Sequence, residues 1–194
     1  IVALKLRNCP TWPLLFWALE MNGHPVLLID SKLAHENTQN LLNQSQAKAI
    51  LANEEDSYSI PSFRLNEIKN AEEDDSFAPH WADQVIFCSS GTTGEAKMMV
   101  FDGKALCAQI LGALDMPQET RFILHPGRIN ILAMIPLHHI FGFTAVFLWY
   151  TFYGKTLVYP TSMATRDLFV AIREAPVTHL YSVPLFWDSV AQNV

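Results

Sequence analysis

The residues best suited to chemistry in this chain form a loop at positions 89–97, rich in hydroxyl groups and glycine. The loop reads Ser89, Ser90, Gly91, Thr92, Thr93, Gly94, Glu95, Ala96 and Lys97. Glycines allow the backbone to turn and to bring its N–H groups close to an anion. The hydroxyl groups add donors and Lys97 adds a positive charge, so the loop is equipped to hold a polyphosphate. A solvated turn in a hairpin is the alternative, and the Walker, Gly-x-Ser-x-Gly and Ser-x-x-Lys patterns do not fit.

A pair of adjacent histidines, His138 and His139, lies in an apolar segment at residues 135–143. Neighbouring side chains point about 100° apart on a helix and to opposite faces on a strand, so the two rings cannot bind one metal ion from a regular element. The chain has no CxxC or HExxH spacing, and we expect no metal site. From the residues alone, each histidine is interpreted as a core residue with a satisfied ring, and ligand binding is the alternative.

The elements that must position these residues alternate between strand and helix. Strands are predicted at 1–7, 26–29, 48–52, 84–88, 97–101, 131–135, 155–159 and 178–183, and helices at 10–21, 34–45, 103–114, 143–153, 165–174 and from Pro184 onward. This β-α order predicts a three-layer α/β fold with parallel strands between helices. The acidic and proline-containing stretch at 72–83 predicts a linker between a first portion, 1–71, and a second portion, 84–194.

Residues 131–153 carry no formal charge and are long enough to suggest a membrane span. Pro136, the two histidines and Gly142 interrupt the first half of this stretch. The remainder, 143–153, is too short to cross a bilayer, and we expect a buried core helix and no transmembrane segment.

Composition excludes several classes of protein. Half of the residues are apolar and 16% are charged, which excludes a disordered chain. The net charge of −6 argues against a nucleic-acid partner, because phosphate neutralisation needs clustered cations. The three cysteines lie in apolar stretches and predict buried free thiols in a reducing compartment, which is expected to be the cytoplasm. The oligomeric state cannot be predicted. Since the chain begins with Ile1 and ends inside a predicted helix, we expect a piece of a longer protein.

Two motifs resemble those of the AMP-forming adenylating enzymes, which include acyl-CoA synthetases, firefly luciferase and non-ribosomal adenylation domains. The loop at 89–97 resembles their phosphate loop, with Ala96 in place of the usual proline and Met98 in place of a glycine that often follows the lysine. The segment at 135–143 resembles their Pro-Leu-Phe-His-x-x-Gly motif, with His139 at the family's histidine and His138 at the usual aromatic. Weaker similarity at 2–8 and 178–184 extends the resemblance along the whole chain.

The resemblance implies ATP-dependent activation of a small carboxylic acid through an acyl adenylate, followed by thioester formation. It assigns phosphate binding to Ser89, Ser90, Gly91, Thr92, Thr93, Gly94 and Lys97, a catalytic role to His139, and acid binding to His138, His139, Phe141 and Gly142. The cofactors of the full-length protein would be ATP, Mg²⁺ and coenzyme A, or phosphopantetheine on a carrier protein. Residues 141–152 contain no acid to pair with a substrate ammonium, which favours a substrate without an α-amine.

Other family features have no counterpart in these 194 residues. These are the Tyr-Gly-x-Thr-Glu motif, the ribose-binding aspartate, the hinge and the catalytic lysine of the C-terminal domain. The resemblance therefore implies an incomplete acyl-CoA synthetase-like N-terminal domain that is inactive by itself. Two alternatives remain: a non-catalytic fragment or interaction module of an adenylating protein, and an unrelated phosphate-binding α/β protein. The second would need a magnesium-binding carboxylate near the loop.

Overall fold

The computed structural model describes residues 1–52, 57–68, 76–89, 97–115, 123 and 127–192, and its fold is α/β. Strands and helices alternate along most of the chain, which confirms the predicted fold class. The chain divides into two compact units, Ile1–Leu106 and Cys107–Val194.

The elements of the first unit follow the predicted order, with one strand added. The strands are β1 (Val2–Lys5), β2 (Val26–Leu28), β3 (Ala49–Ala52), β4 (Ser62–Arg64), β5 (Gln84–Ser89) and β6 (Lys97–Asp102), and the helices are α1 (Thr11–Met21), α2 (His35–Ser45) and α3 (Gly103–Gly112), which continues past Leu106. The added strand is β4, in which Ser62 is half-buried and Phe63 and Arg64 are exposed. Gly23 follows the end of α1, where its φ of +74° favours glycine.

The described strands of this unit form one sheet in the order β4-β3-β1-β2-β5-β6. Neighbouring strands are parallel from β4 to β5, and only β6 runs antiparallel, against β5. The sequence predicted parallel strands between helices. No helix was predicted between β5 and β6, and this pair forms an antiparallel hairpin. A connection of seven residues, 90–96, joins β5 to β6. It suits an antiparallel return, whereas a parallel crossover needs a dozen or more residues.

Helices cover both faces of the sheet in the first unit. Successive side chains of a strand point to opposite faces. Ala3, Ile50 and Ala52 pack with Leu41 and Leu42 of α2 in one buried cluster. Leu51 points the other way and lines an apolar cavity together with Leu15 and Ala18 of α1. This helix-sheet-helix arrangement is the predicted three-layer fold.

The division between units lies between Leu106 and Cys107, whereas the sequence predicted a linker at 72–83. Residues 69–75 lie outside the described part of the chain. The rest of the predicted linker leads into β5, and β5 pairs with β2 over Val26↔Val85, Leu27↔Ile86 and Leu28↔Phe87. Those backbone hydrogen bonds join β5 and β6 to the first sheet, and the change in composition at 72–83 does not mark the end of the unit.

The second unit contains a smaller parallel sheet. Its elements are β7 (Asn130–Leu132), a π-helix (Gly142–Leu148) that continues as α4 (Trp149–Phe152), β8 (Thr156–Val158), α5 (Thr165–Glu174), β9 (His179–Leu180) and α6 (Pro184–Gln192). The described strands lie in the order β8-β7-β9. Gly154 follows the end of α4 with a φ of +66°, a backbone conformation that favours glycine.

The apolar stretch at 131–153 is a strand, a turn and a helix rather than one continuous span. All seven residues of the π-helix are buried, which confirms the predicted core helix, although its π geometry was not predicted. In the part of the chain that the structure describes, no helix is long and apolar enough to cross a membrane.

The cysteines correct one expectation from the sequence. Cys107 is exposed, and Cys9 and Cys88 are half-buried. The prediction of three buried thiols was therefore wrong for Cys107, because that residue lies on a helix whose described side chains include none that is fully buried.

Candidate functional site

The predicted phosphate loop connects the two antiparallel strands β5 and β6. Ser89 and Lys97 are paired across the hairpin, and the Ser89 hydroxyl donates a 3.4 Å hydrogen bond to the Lys97 carbonyl oxygen. Lys97 is exposed and Ser89 is half-buried. The other predicted phosphate-binding residues, Ser90, Gly91, Thr92, Thr93 and Gly94, lie outside the described residues.

The loop begins at the carboxyl edge of the parallel sheet. Because β5 runs parallel to β2, Ser89 ends β5 at the edge where Asp30 follows β2. Ligands of open α/β sheets bind outside this edge. Asp30 accepts a 2.9 Å hydrogen bond from the Lys32 backbone N–H and so shapes the turn into α2. The Cys88 thiol, next to Ser89, has its pKa raised to about 11 by burial, so it remains protonated and is a poor nucleophile near neutral pH.

A buried lysine at the same edge was not identified from the sequence. Lys5 ends β1 and is only 2% exposed. Its ammonium group donates a 3.0 Å hydrogen bond to the Tyr58 hydroxyl and lies 5.7 Å from the centre of that ring. Since β2 separates β1 from β5, Lys5 lies about 10 Å across the sheet from the start of the loop. The signal in the sequence that could have identified Lys5 is a lysine within an otherwise apolar predicted strand.

The second predicted motif follows β7 in the second unit. His139 donates its backbone N–H to the Pro136 carbonyl oxygen at 3.2 Å, and its own carbonyl oxygen accepts the Phe143 N–H at 2.8 Å. Gly142 is required here, because a side-chain Cβ would overlap the Pro136 carbonyl oxygen and lie 2.9 Å from its carbonyl carbon. The turn is therefore compact, and it leads directly into the π-helix.

The two histidines of this motif have different environments. His138 is 7% exposed, whereas His139 is exposed, and their ring centres are 4.3 Å apart with planes tilted by 44°. This difference agrees with the sequence argument that adjacent side chains diverge. His139 is accessible to a ligand, and His138 packs in the interior. Across the described ranges, no group of three or more His, Cys, Asp or Glu side chains is placed to hold a metal ion.

Aromatic side chains surround the exposed end of this motif. Phe141 is 53% exposed, and its ring contacts Tyr181 edge-on at 6.1 Å between centres. Tyr181 follows β9 directly and forms a 2.6 Å hydrogen bond with the fully buried Tyr150. Neither tyrosine was identified from the sequence, because the two hydrogen-bonded residues are 31 positions apart along the chain.

The predicted residues fall into two groups. Ser89 and Lys97 belong to the first unit, and His138, His139, Phe141 and Gly142 belong to the second. Within each unit the structure brings the described members together: Ser89 pairs with Lys97, and the four residues of the second group form one turn.

The chain belongs to the AMP-binding enzyme family, whose sequence profile matches residues 1–194. Among solved structures, it is similar to o-succinylbenzoate CoA synthetase of Bacillus subtilis in complex with its acyl-adenylate intermediate, with a TM-score of 0.81 and 20% identity over 100% of this chain and 51% of that one. The same enzyme has been solved with ATP and a magnesium ion, with a TM-score of 0.78.

Curated relatives include CoA ligases. A 4-chlorobenzoate–CoA ligase of Arthrobacter is 30% identical over 105 residues, which are 54% of this chain and 19% of that protein. A 4-coumarate–CoA ligase-like protein of Arabidopsis thaliana is 26% identical over 95% of this chain and 37% of its own length. The chain thus spans well under half the length of these curated relatives and about half of the solved synthetase chain.

Proposed function

We propose that this chain is part of an acid–thiol ligase that activates a carboxylic acid through an acyl adenylate. A carboxylate oxygen attacks the α-phosphorus of ATP, the bond from that phosphorus to the β-phosphate oxygen breaks, and pyrophosphate leaves. A thiol then attacks the acyl carbon, the thioester forms and AMP leaves. The observation that carries the proposal is the hydroxyl- and glycine-rich loop closed by Ser89 and Lys97 at the carboxyl edge of the sheet, in a chain matched over 1–194 by the AMP-binding family.

The described residues around this loop fit a polyphosphate. Lys97 is exposed at the start of β6, where its charge can reach an anion. In the proposal, the loop residues hold the β- and γ-phosphates and stabilise the charge on the leaving pyrophosphate. Magnesium bound with ATP would neutralise part of that phosphate charge, and we assign no magnesium ligand to this chain.

The acid is assigned to the turn in the second unit. The exposed imidazole of His139 orients the carboxylate, while Phe141 and the backbone at Gly142 bound the place where the acyl group lies. The proposal takes the substrate to be an acid without an α-amine and the acceptor to be coenzyme A, or phosphopantetheine on a carrier protein. Positioning of two anions is the main task of such a site, because their mutual repulsion opposes attack.

The test is acid-dependent exchange of labelled pyrophosphate into ATP by the full-length protein, measured over a panel of aliphatic, benzoic, cinnamic and amino acids. We expect exchange with at least one acid, and none with the 194-residue chain alone, which lacks the other family motifs. Exchange that depends on amino acids only would contradict the substrate class. Absence of exchange with every acid would contradict the proposed reaction.

A further inference from the structure

Tyr150 and Tyr181 form a hydrogen-bonded chain with a defined direction. The Tyr150 hydroxyl lies 2.6 Å from the Ile123 carbonyl oxygen and 2.6 Å from the Tyr181 hydroxyl. A carbonyl oxygen can only accept, and a phenol has one proton. Tyr150 therefore donates to Ile123, and Tyr181 must donate to Tyr150.

Burial keeps this chain of hydrogen bonds intact. Tyr150 has no exposed surface, and burial, together with its contact to Tyr181, raises its pKa far above the ordinary value for tyrosine. Burial also raises the pKa of Tyr181. Both phenols stay protonated over the working pH range, so the Tyr181 ring is held at its hydroxyl end by a partner that cannot move into solvent.

Tyr181 makes a second contact, with the turn that carries His139. Its ring packs edge-on against Phe141, with planes at 61°. Phe141 precedes Gly142, whose backbone is pressed against Pro136. A displacement of the Phe141 ring therefore moves a compact turn with little free space.

We propose that Tyr181 is a positioning residue for acid binding: anchored by Tyr150, it holds the Phe141 ring and with it the turn that presents His139. The inference rests on the proposed function, because the turn is assigned to the acid there. It assigns no contact between Tyr181 and the reacting atoms. A change at Tyr181 should therefore alter the KM for the acid and leave the KM for ATP unchanged.

The experiment compares Tyr181→Phe with Tyr153→Phe in the full-length protein. Tyr153 is the matched control, because its hydroxyl also donates to a backbone carbonyl, that of Ile110 at 3.1 Å, and it lies on the same stretch of chain as Tyr150. We expect Tyr181→Phe to raise the KM for the acid about 3- to 10-fold, as for loss of one neutral hydrogen bond, with the KM for ATP unchanged. Tyr153→Phe should change neither constant.

Two further variants identify the route of the effect. Tyr150→Phe should raise the acid KM at least as much as Tyr181→Phe, because it removes the bond to Tyr181 and also the bond to the Ile123 carbonyl oxygen. The double variant Tyr150→Phe/Tyr181→Phe should be no worse than Tyr150→Phe alone, since the bond between the two tyrosines is already lost in that single variant. Equal acid KM values for Tyr181→Phe and Tyr153→Phe would overturn the inference.

A second measurement does not depend on activity. The backbone amides of His139 and Phe143 close the turn, and their hydrogen exchange reports its opening. We expect faster exchange at these amides in Tyr181→Phe and no change in Tyr153→Phe. If the wild-type protein activates no acid, the proposed function fails, and the exchange rates alone decide the inference: equal rates in the two variants would refute it.

Discussion

Glu20 provides the sharpest test of the electrostatics of the first unit. It lies on α1, is 5% exposed, and its Oε1 atom has no hydrogen-bond partner among the residues that the structure describes. Burial and, to a smaller extent, repulsion by Asp83 raise its pKa from 4.5 to about 7, against the opposing effect of a hydrogen bond from the Val26 backbone. Replacement of Glu20 by Gln removes the charge and keeps the shape.

The sign and size of the effect follow from the raised pKa. In the folded state the Glu20 carboxyl group keeps its proton up to about pH 7, whereas in the unfolded state it keeps it only up to about pH 4.5. The free energy of unfolding therefore falls as the pH rises through this window. One pKa unit corresponds to about 1.4 kcal/mol, which sets an upper limit of about 3 kcal/mol for ionised Glu20. Allowing for relaxation around the charge, we expect Glu20→Gln to stabilise the protein by about 2 kcal/mol at pH 8 and by little at pH 4.5.

The assay is urea unfolding of the 194-residue chain at pH 4.5, 6 and 8, followed by tryptophan fluorescence. The unit that contains Glu20 also contains Trp12, which is fully buried and reports its unfolding. The control is Glu36→Gln, at an exposed position in the first turn of α2, which should give no gain that grows with pH. The reasoning would be refuted if Glu20→Gln raised the free energy of unfolding equally at pH 4.5 and pH 8, or did not raise it at pH 8.

Three further predictions concern the proposed reaction in the full-length protein. Lys97→Ala should slow adenylate formation about 30- to 150-fold and leave thioester formation from supplied acyl adenylate nearly unchanged, because the polyphosphate has left by then. The exposed Lys104→Ala is its control, and equal slowing of both half-reactions would contradict the assignment. His139→Ala should raise the acid KM or lower turnover without changing ATP affinity, whereas the exposed His24→Ala should do neither. Gly142→Ala should lower stability by about 1–3 kcal/mol and raise the acid KM, and unchanged thermal unfolding would contradict the overlap with the Pro136 backbone.

Local patterns in the sequence determined most of the helices and strands. The helix predicted at 165–174 coincides with α5, because its apolar spacing and its flanking residues act within one or two turns of chain. Asp102 directly precedes α3 and caps it, since its carboxylate accepts the Ala105 N–H at 2.8 Å. The family was also recognisable, since the two motifs at 89–97 and 135–143 are contiguous in sequence. The roles of their residues stay predictions.

Tertiary structure alone decided the features that depend on distant pairing. The place of β5 and β6 in the first sheet depends on the backbone hydrogen bonds between β5 and β2, about sixty residues away, which no local pattern encodes. The π-helix begins at Gly142, whose approach to the Pro136 backbone leaves no room for a Cβ, and the Tyr150–Tyr181 bond joins residues that are 31 positions apart. The raised pKa of Glu20 arises in the same way, since burial and the approach of Asp83 exist only after the chain has folded. Propensities and motifs act over a few residues, whereas charge, burial and close approach between distant segments are set by packing.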